Sequence, residues 1–130
     1  MQHKLISKLK SFQKLLSRMK EMTILVEGKR DKKALELAGI GKEIIMLNSR
    51  KMELLASQLS GKRVVVLTDY DRTGERLARE AHEELLSHGA YPDIGSRQKL
   101  KRILGLYRIE EINTSIRDFE EKLDMIRNRK

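Results

Sequence analysis

The sequence predicts an α/β fold: a mostly parallel, four-stranded sheet in a Rossmann-like arrangement, with helices on both faces. Three observations carry this expectation. Val64, Val65, Val66 and Leu67 form a continuous apolar run rich in β-branched residues, the pattern of a strand buried on both faces. Thr23–Val26 repeats the design and is stopped by Glu27 and Gly28. Short apolar runs then alternate with helical patterns in a β-α-β-α-β-α rhythm, as parallel strands joined by helical crossovers require.

Taken in order, residues 1–21 read as a basic amphipathic helix. Leu5, Leu9, Phe12, Leu16 and Met19 recur at alternating spacings of four and three, and Lys4, Lys10, Lys14 and Arg18 fall on the opposite side. Such a helix packs on a core while its outer face is free to grip phosphates or a membrane surface. After the first strand, Asp31–Leu37 reads as a helix closing near Gly39-Ile40-Gly41. Glu43–Leu47 is the second strand, and Asn48-Ser49 are placed to cap a helix over about 50–59. Gly61 precedes the central strand.

A helical pattern opens at Arg72 and closes near His88-Gly89, with Gly89 as the expected C-cap. Tyr91–Ile94 is a short fourth strand, which Pro92 assigns to an edge. Arg97–Leu104 is a second basic helix, beginning at Ser96, with no acidic residue between Ser96 and Ile109. Residues 106–112 fit no single pattern, and Thr114–Arg127 is a charged final helix. One domain is expected over 1–130, with its core at 22–95 and a basic helical extension at 96–130.

Composition narrows the function. Lys and Arg number 28 against 19 Asp and Glu, a net charge of +9, which favours a polyanionic partner, nucleic acid before anionic membrane. Charged residues make up 36% of the chain, above the usual ~25%, so part of the excess serves as solvated surface. The absence of cysteine excludes a disulfide framework and zinc–thiolate sites. No run approaches the ~18–20 apolar residues of a membrane span, nor does the N-terminus show a signal peptide's apolar stretch. The cytoplasm is the expected location.

The chemistry gathers where strands end. Asp69 and Asp71 follow the central strand, and Glu27 follows the first. Clustered carboxylates repel one another unless a cation or donors compensate. In open parallel sheets, ligands sit at the carboxyl ends of the strands, where the winding reverses. Should strands two and three flank strand one, Glu27 and Asp69 meet there, which points to a shared divalent-metal centre. Lys29, Arg30 and Arg72 stand beside these acids as candidate phosphate ligands, with Arg97, Lys99, Lys101 and Arg102 as a second basic cluster.

Val26-Glu27-Gly28-Lys29 after the first strand, together with Asp69-x-Asp71-x-x-Gly74-Glu75 after the third, resembles the Toprim domain over roughly residues 22–95. That domain is shared by topoisomerases, bacterial primases, recombination mediators, overcoming-lysogeny-type nucleases and ribosomal-RNA maturases. The small free-standing Toprim proteins, many of them archaeal, look most similar. The resemblance implies that Glu27 serves as general acid or base, and that Asp69 and Asp71 hold Mg²⁺ or Mn²⁺, with Glu27 and Glu75 as further metal ligands. Glu75 matches a further acidic position of the topoisomerase and maturase branches. Topoisomerase chemistry needs a separate tyrosine-bearing domain, and primases need zinc- and helicase-binding parts, for which 130 residues leave no room. The expected activity is therefore metal-dependent phosphodiester cleavage on RNA or DNA. The alternative is a nucleic-acid-binding module, or a subunit joined to a protein partner, that does no catalysis.

Plainer readings stand beside these. Asp71 and Glu75 suit the N-terminus of the following helix, Asp31 suits a first helical turn, and Tyr70 suits packing or a substrate wall. His82 and His88 read as ordinary helix residues, and Asn48 lies near the same sheet edge. Asp69-x-Asp71-x-Thr73 also fits the opening motif of haloacid-dehalogenase phosphatases. That reading leaves Glu27-Gly28 unexplained and too little chain after the motif.

Overall fold

The computed structural model describes residues 2–48 and 51–128. In chain order they form α1 (Gln2–Met19), β1 (Thr23–Val26), α2 (Lys29–Ala38), β2 (Glu43–Met46), α3 (Met52–Gln58), β3 (Arg63–Leu67), α4 (Arg72–Ser87), β4 (Tyr91–Pro92), α5 (Gly95–Leu104), a 3₁₀ turn (Ile109–Glu111) and α6 (Ile112–Arg127). The four strands make one sheet in the order β2-β1-β3-β4, and every pairing is parallel. The protein is thus α/β with a Rossmann-like sheet, and helices cover both of its faces.

Side-chain alternation along the strands divides the core in two. Ile24, Val26, Val65 and Leu67 point to the face covered by α1, α2, α5 and α6. Leu25, Val64 and Val66 point to the other, under α3 and α4. Because α2 lies on one face and α3 on the opposite one, the winding reverses between β1 and β3. Register places Val26 beside Leu67, so the residues that follow them emerge side by side at the carboxyl edge.

The terminal helices are structural members of the core. Phe12 of α1 meets Phe119 of α6 edge to face, with ring centroids 5.7 Å apart, and Leu100, Leu106, Ile109 and Ile112 are buried in the same cluster. The stripe of α1 is rotated from the expected one: Leu15 is buried with Phe12 and Met19, and Leu16 lies at the margin. Positions 12, 15 and 19 share one face at ~3.6 residues per turn, and 16 drifts off it. Arg18, expected on the solvated side, turns instead toward Ser96 Oγ (2.9 Å) and Asp93 Oδ2 (3.5 Å).

Element ends differ from the expected ones by a few residues for local reasons. α2 begins at Lys29 because Asp31 Oδ2 accepts the Gly28 N–H at 3.3 Å and closes the first turn two residues early. His88, not Gly89, is the C-cap of α4. Gly89 follows at φ 80°, a left-handed turn that lets Ala90 N–H return to Leu85 O at 2.9 Å. The ambiguous 106–112 stretch becomes the 3₁₀ turn leading into α6, which starts at Ile112 rather than Thr114. Ser49 and Arg50, expected as cap and start of the third helix, lie outside the described residues; that helix runs Met52–Gln58. Pro92 sits on the two-residue edge strand β4. Among the described residues no helix is long and apolar enough to cross a membrane.

Candidate active site

At the β1–β3 reversal, Glu27 Oε1 accepts the backbone N–H of Asp69 at 3.1 Å. The two residues are 42 apart in sequence, and the strand order brings them into direct contact. Asp69 Oδ1 in turn accepts the Ile109 N–H at 2.8 Å. Asp71 caps α4 through Oδ1, which accepts the Gly74 N–H at 2.7 Å. Glu27, Asp69 and Asp71 each keep a second carboxylate oxygen that accepts no hydrogen bond from the described residues.

Gly74 belongs in this motif because of space. A Cβ built there would collide with the carbonyl oxygen of Asp69, so any side chain must push the first turn of α4 off the acid loop. Thr68, buried beneath, donates its hydroxyl to Gly74 O at 2.6 Å and locks the same close approach.

Arg97, expected among the exposed phosphate ligands, is instead 3% exposed. Its Nε donates to Thr68 O at 3.0 Å, its Nη1 to Glu75 Oε1 at 3.1 Å, and its Nη2 to Asp69 O. The guanidinium lies 4.4 Å from the centre of the Tyr70 ring, and the Tyr70 hydroxyl donates to Arg97 O at 2.7 Å. Tyr70 is thus a buried packing residue, and Tyr70 N–H also bonds Tyr107 O at 3.0 Å. The acid loop is held from below by α5 and from the side by 107–109. A signal for Arg97 was present: with Leu100 and Leu104 it falls at i, i+3, i+7, the apolar face of α5.

Lys29, Arg30 and Arg72 are exposed in the first turns of α2 and α4, both of which open at this edge. Their helix N-termini add partial positive charge. Lys99, Lys101 and Arg102 are exposed on α5, with Lys101 Nζ 5.5 Å from the Tyr70 ring. Glu75 is drawn into the ion pair with Arg97 and leaves its side chain 36% exposed. Asn48, at φ 46°, lines a cleft of about 320 Å³ with Glu27, Leu47, Met52, Leu77 and Glu80. His82 is half-buried on α4, where burial holds its ring below the ordinary imidazole range.

Crowding of acids shows in their protonation. Burial pushes the Glu27 carboxyl up, as do the charges of Asp69 and Asp71, against the Asp69 N–H and Arg97. Asp31 is pushed up to about 6, first by burial and then by Asp69, with Glu27 and Glu110 adding to it. Sequence reasoning saw only its helix-start role. The folded protein therefore binds a proton on Asp31 that the unfolded chain releases near 3.8. Stability from this group is present in full below about pH 4 and is lost as pH rises through about 6. An asparagine at this position would keep an acceptor for Gly28 N–H without the charge. In EDTA, Asp31→Asn should flatten the urea-unfolding profile over this window and exceed wild type at neutral pH by roughly 2 kcal/mol, less than the ~3 kcal/mol of the full shift because solvent screens part of the charge. Parallel profiles for the two proteins would show that Asp31 does not carry the effect.

Among the described residues no three acidic, histidine or cysteine side chains converge as a ready-made metal cage. The donor set nonetheless suits a hard cation, because Mg²⁺ commonly takes one or two carboxylates and keeps several waters. Asp69 and Asp71, each with an oxygen to spare, meet that need, and Glu27 lies against the Asp69 peptide.

Fold and site together define an α/β protein with a doubly wound parallel sheet and an acidic centre at its carboxyl edge. The chain belongs to the UPF0292 family. It is 38% identical over 99 residues to a UPF0292 protein of Thermococcus onnurineus, covering 72% of this chain and 73% of that one. With UPF0292 protein MJ1624 of Methanocaldococcus jannaschii it shares 33% identity over 128 residues, 91% of this chain and 94% of the relative. A solved structure of an Aquifex aeolicus protein superposes with a TM-score of 0.66 at 37% identity, covering 76% of this chain and 92% of that one. No family model matches the chain.

Proposed function

We propose that this protein is a Toprim-type, Mg²⁺- or Mn²⁺-dependent enzyme that cleaves phosphodiester bonds in RNA or DNA, acting in the cytoplasm. The observation that carries the reading is the contact of Glu27 with the Asp69 peptide beside Asp71, at the reversal of a parallel sheet. Asp69 and Asp71 would hold the metal, which when bound polarises a phosphodiester and neutralises developing charge. Glu27, its carboxyl raised by burial, holds or moves a proton at its unengaged oxygen. Lys29, Arg30 and Arg72 grip the flanking phosphates, aided by the helix N-termini on which they stand.

One observation serves a second reading equally well, a module that binds nucleic acid without cleaving it: the exposed cations Lys99, Lys101 and Arg102 of α5, which need no metal to meet phosphates. A cleavage assay separates the two. Structured RNAs and single-stranded and branched DNAs should be incubated with Mg²⁺ or Mn²⁺. The enzyme reading expects cleavage of at least one, with Asp69→Asn requiring more metal. Binding without cleavage of any of them would put the module reading in its place.

A further inference from the structure

α1 and α5 enclose an open trough of about 300 Å³ on the side of α5 away from the acid loop. Lys8, Lys14 and Arg18 of α1 face Lys99 and Arg102 of α5 across it, over a floor of Leu15 and Ile103. Among the described residues no carboxylate lines it. Arg18 is engaged by Asp93 and Ser96. Lys8, Lys14, Lys99 and Arg102 are exposed and make no ion pair among the described residues. Like charges facing one another across a concavity repel, and an anion between them removes that repulsion.

Dimensions select the kind of anion. The trough continues along α1 into a shallower depression bordered by Lys10, Lys14 and Arg18. From Lys8 to Arg18 the helix advances roughly 15 Å at ~1.5 Å per residue, long enough to meet more than one phosphate of a nucleic-acid backbone. An inorganic phosphate would engage only a fraction of that length. A flat layer of lipid headgroups meets convex faces, whereas these cations line a concavity. At about 300 Å³ the trough is sized for a short stretch of one strand rather than for a duplex.

We propose that the trough between α1 and α5 binds the sugar–phosphate backbone of a single nucleic-acid strand, at a site separate from the acidic centre. It rests on the reading of nucleic acid as the partner. α5 is the wall common to both sites: Arg97 and Lys101 turn to the acid loop, and Lys99 and Arg102 turn to the trough.

The test uses the full chain in EDTA, so that binding is read without cleavage. Affinity for a labelled single-stranded oligonucleotide is measured by anisotropy across a salt series. Substituting Gln at Lys8, Lys14, Lys99 and Arg102 together should reduce the log–log salt slope by about 2–3, since each phosphate neutralised on a single strand contributes ~0.7. Equal charge removal at Lys33, Lys42, Arg63 and Lys122, all exposed elsewhere, should change it far less. The trough variant should melt no lower than wild type, which shows that it is folded. A slope lowered equally by both variants overturns the proposal, as does trough-dependent binding to anionic phospholipid vesicles with none to the oligonucleotide. Because Glu27 and the metal play no part in this measurement, a failure of the cleavage reading leaves its result intact, and the reverse also holds.

Discussion

Glu27→Gln should slow the proposed metal-dependent phosphodiester cleavage by roughly 10²–10⁴-fold, the usual contribution of a positioned proton-transfer group. The substitution is informative because it spares the structure. Gln still presents an oxygen to the Asp69 N–H that Glu27 Oε1 now accepts at 3.1 Å, so the loop keeps its tie to β1. What disappears is a carboxyl raised by burial and by its acidic neighbours, which brings it toward the pH at which exchanging a proton is efficient. Substrate affinity should be nearly unchanged or slightly higher, since one negative charge near the phosphates is gone. Single-turnover rates together with binding in Ca²⁺ would separate the two effects. Cleavage by Glu27→Gln at the wild-type rate would remove Glu27 from the chemistry.

Arg97→Ala should destabilise the protein by about 3 kcal/mol, the low end of what breaking a buried ion pair costs, because Glu75 remains partly in water. Its loss leaves the buried carbonyl oxygens of Thr68 and Asp69 without this donor and opens a space beneath Tyr70. Against a total stability of ~5–15 kcal/mol for a domain, that is a visible shift in a denaturant midpoint. Arg97→Lys should fall between, keeping charge and stem while lacking the fork that reaches three acceptors at once. A second readout isolates its effect on the site. Arg97 holds the Glu27 carboxyl down, so its removal lets that carboxyl rise further, and the limb of the pH–rate profile that Glu27 sets should move to higher pH. An Arg97→Ala protein as stable as wild type would mean that solvent replaces these contacts without penalty.

The strands and their acidic ends were legible in the chain because the signals are local. Val64–Leu67 and Thr23–Val26 are buried along their whole length, as strands covered on both faces must be, and Glu27 and Asp69 follow them closely. The alternation of strands and helices implied a parallel sheet, and from that sheet a reversal where Glu27 and Asp69 meet. Pro92 marked the edge strand by its missing donor. Other features depend on partners distant in sequence. Asp69 is held by the main chain of Ile109, 40 residues on, in a stretch with no periodicity to announce it. Arg97 shares the apolar face of α5 with Leu100 and Leu104, but its acceptors, in the acid loop 28 residues earlier, are set only when α5 docks. The raised carboxyl of Asp31 and the facing cations of α1 and α5 likewise arise only when separate helices are brought together. Periodicity tells which residues leave water; the charges and hydrogen-bond partners that meet them there are set by packing across the fold, because burial and Coulomb interactions act through space and not along the chain.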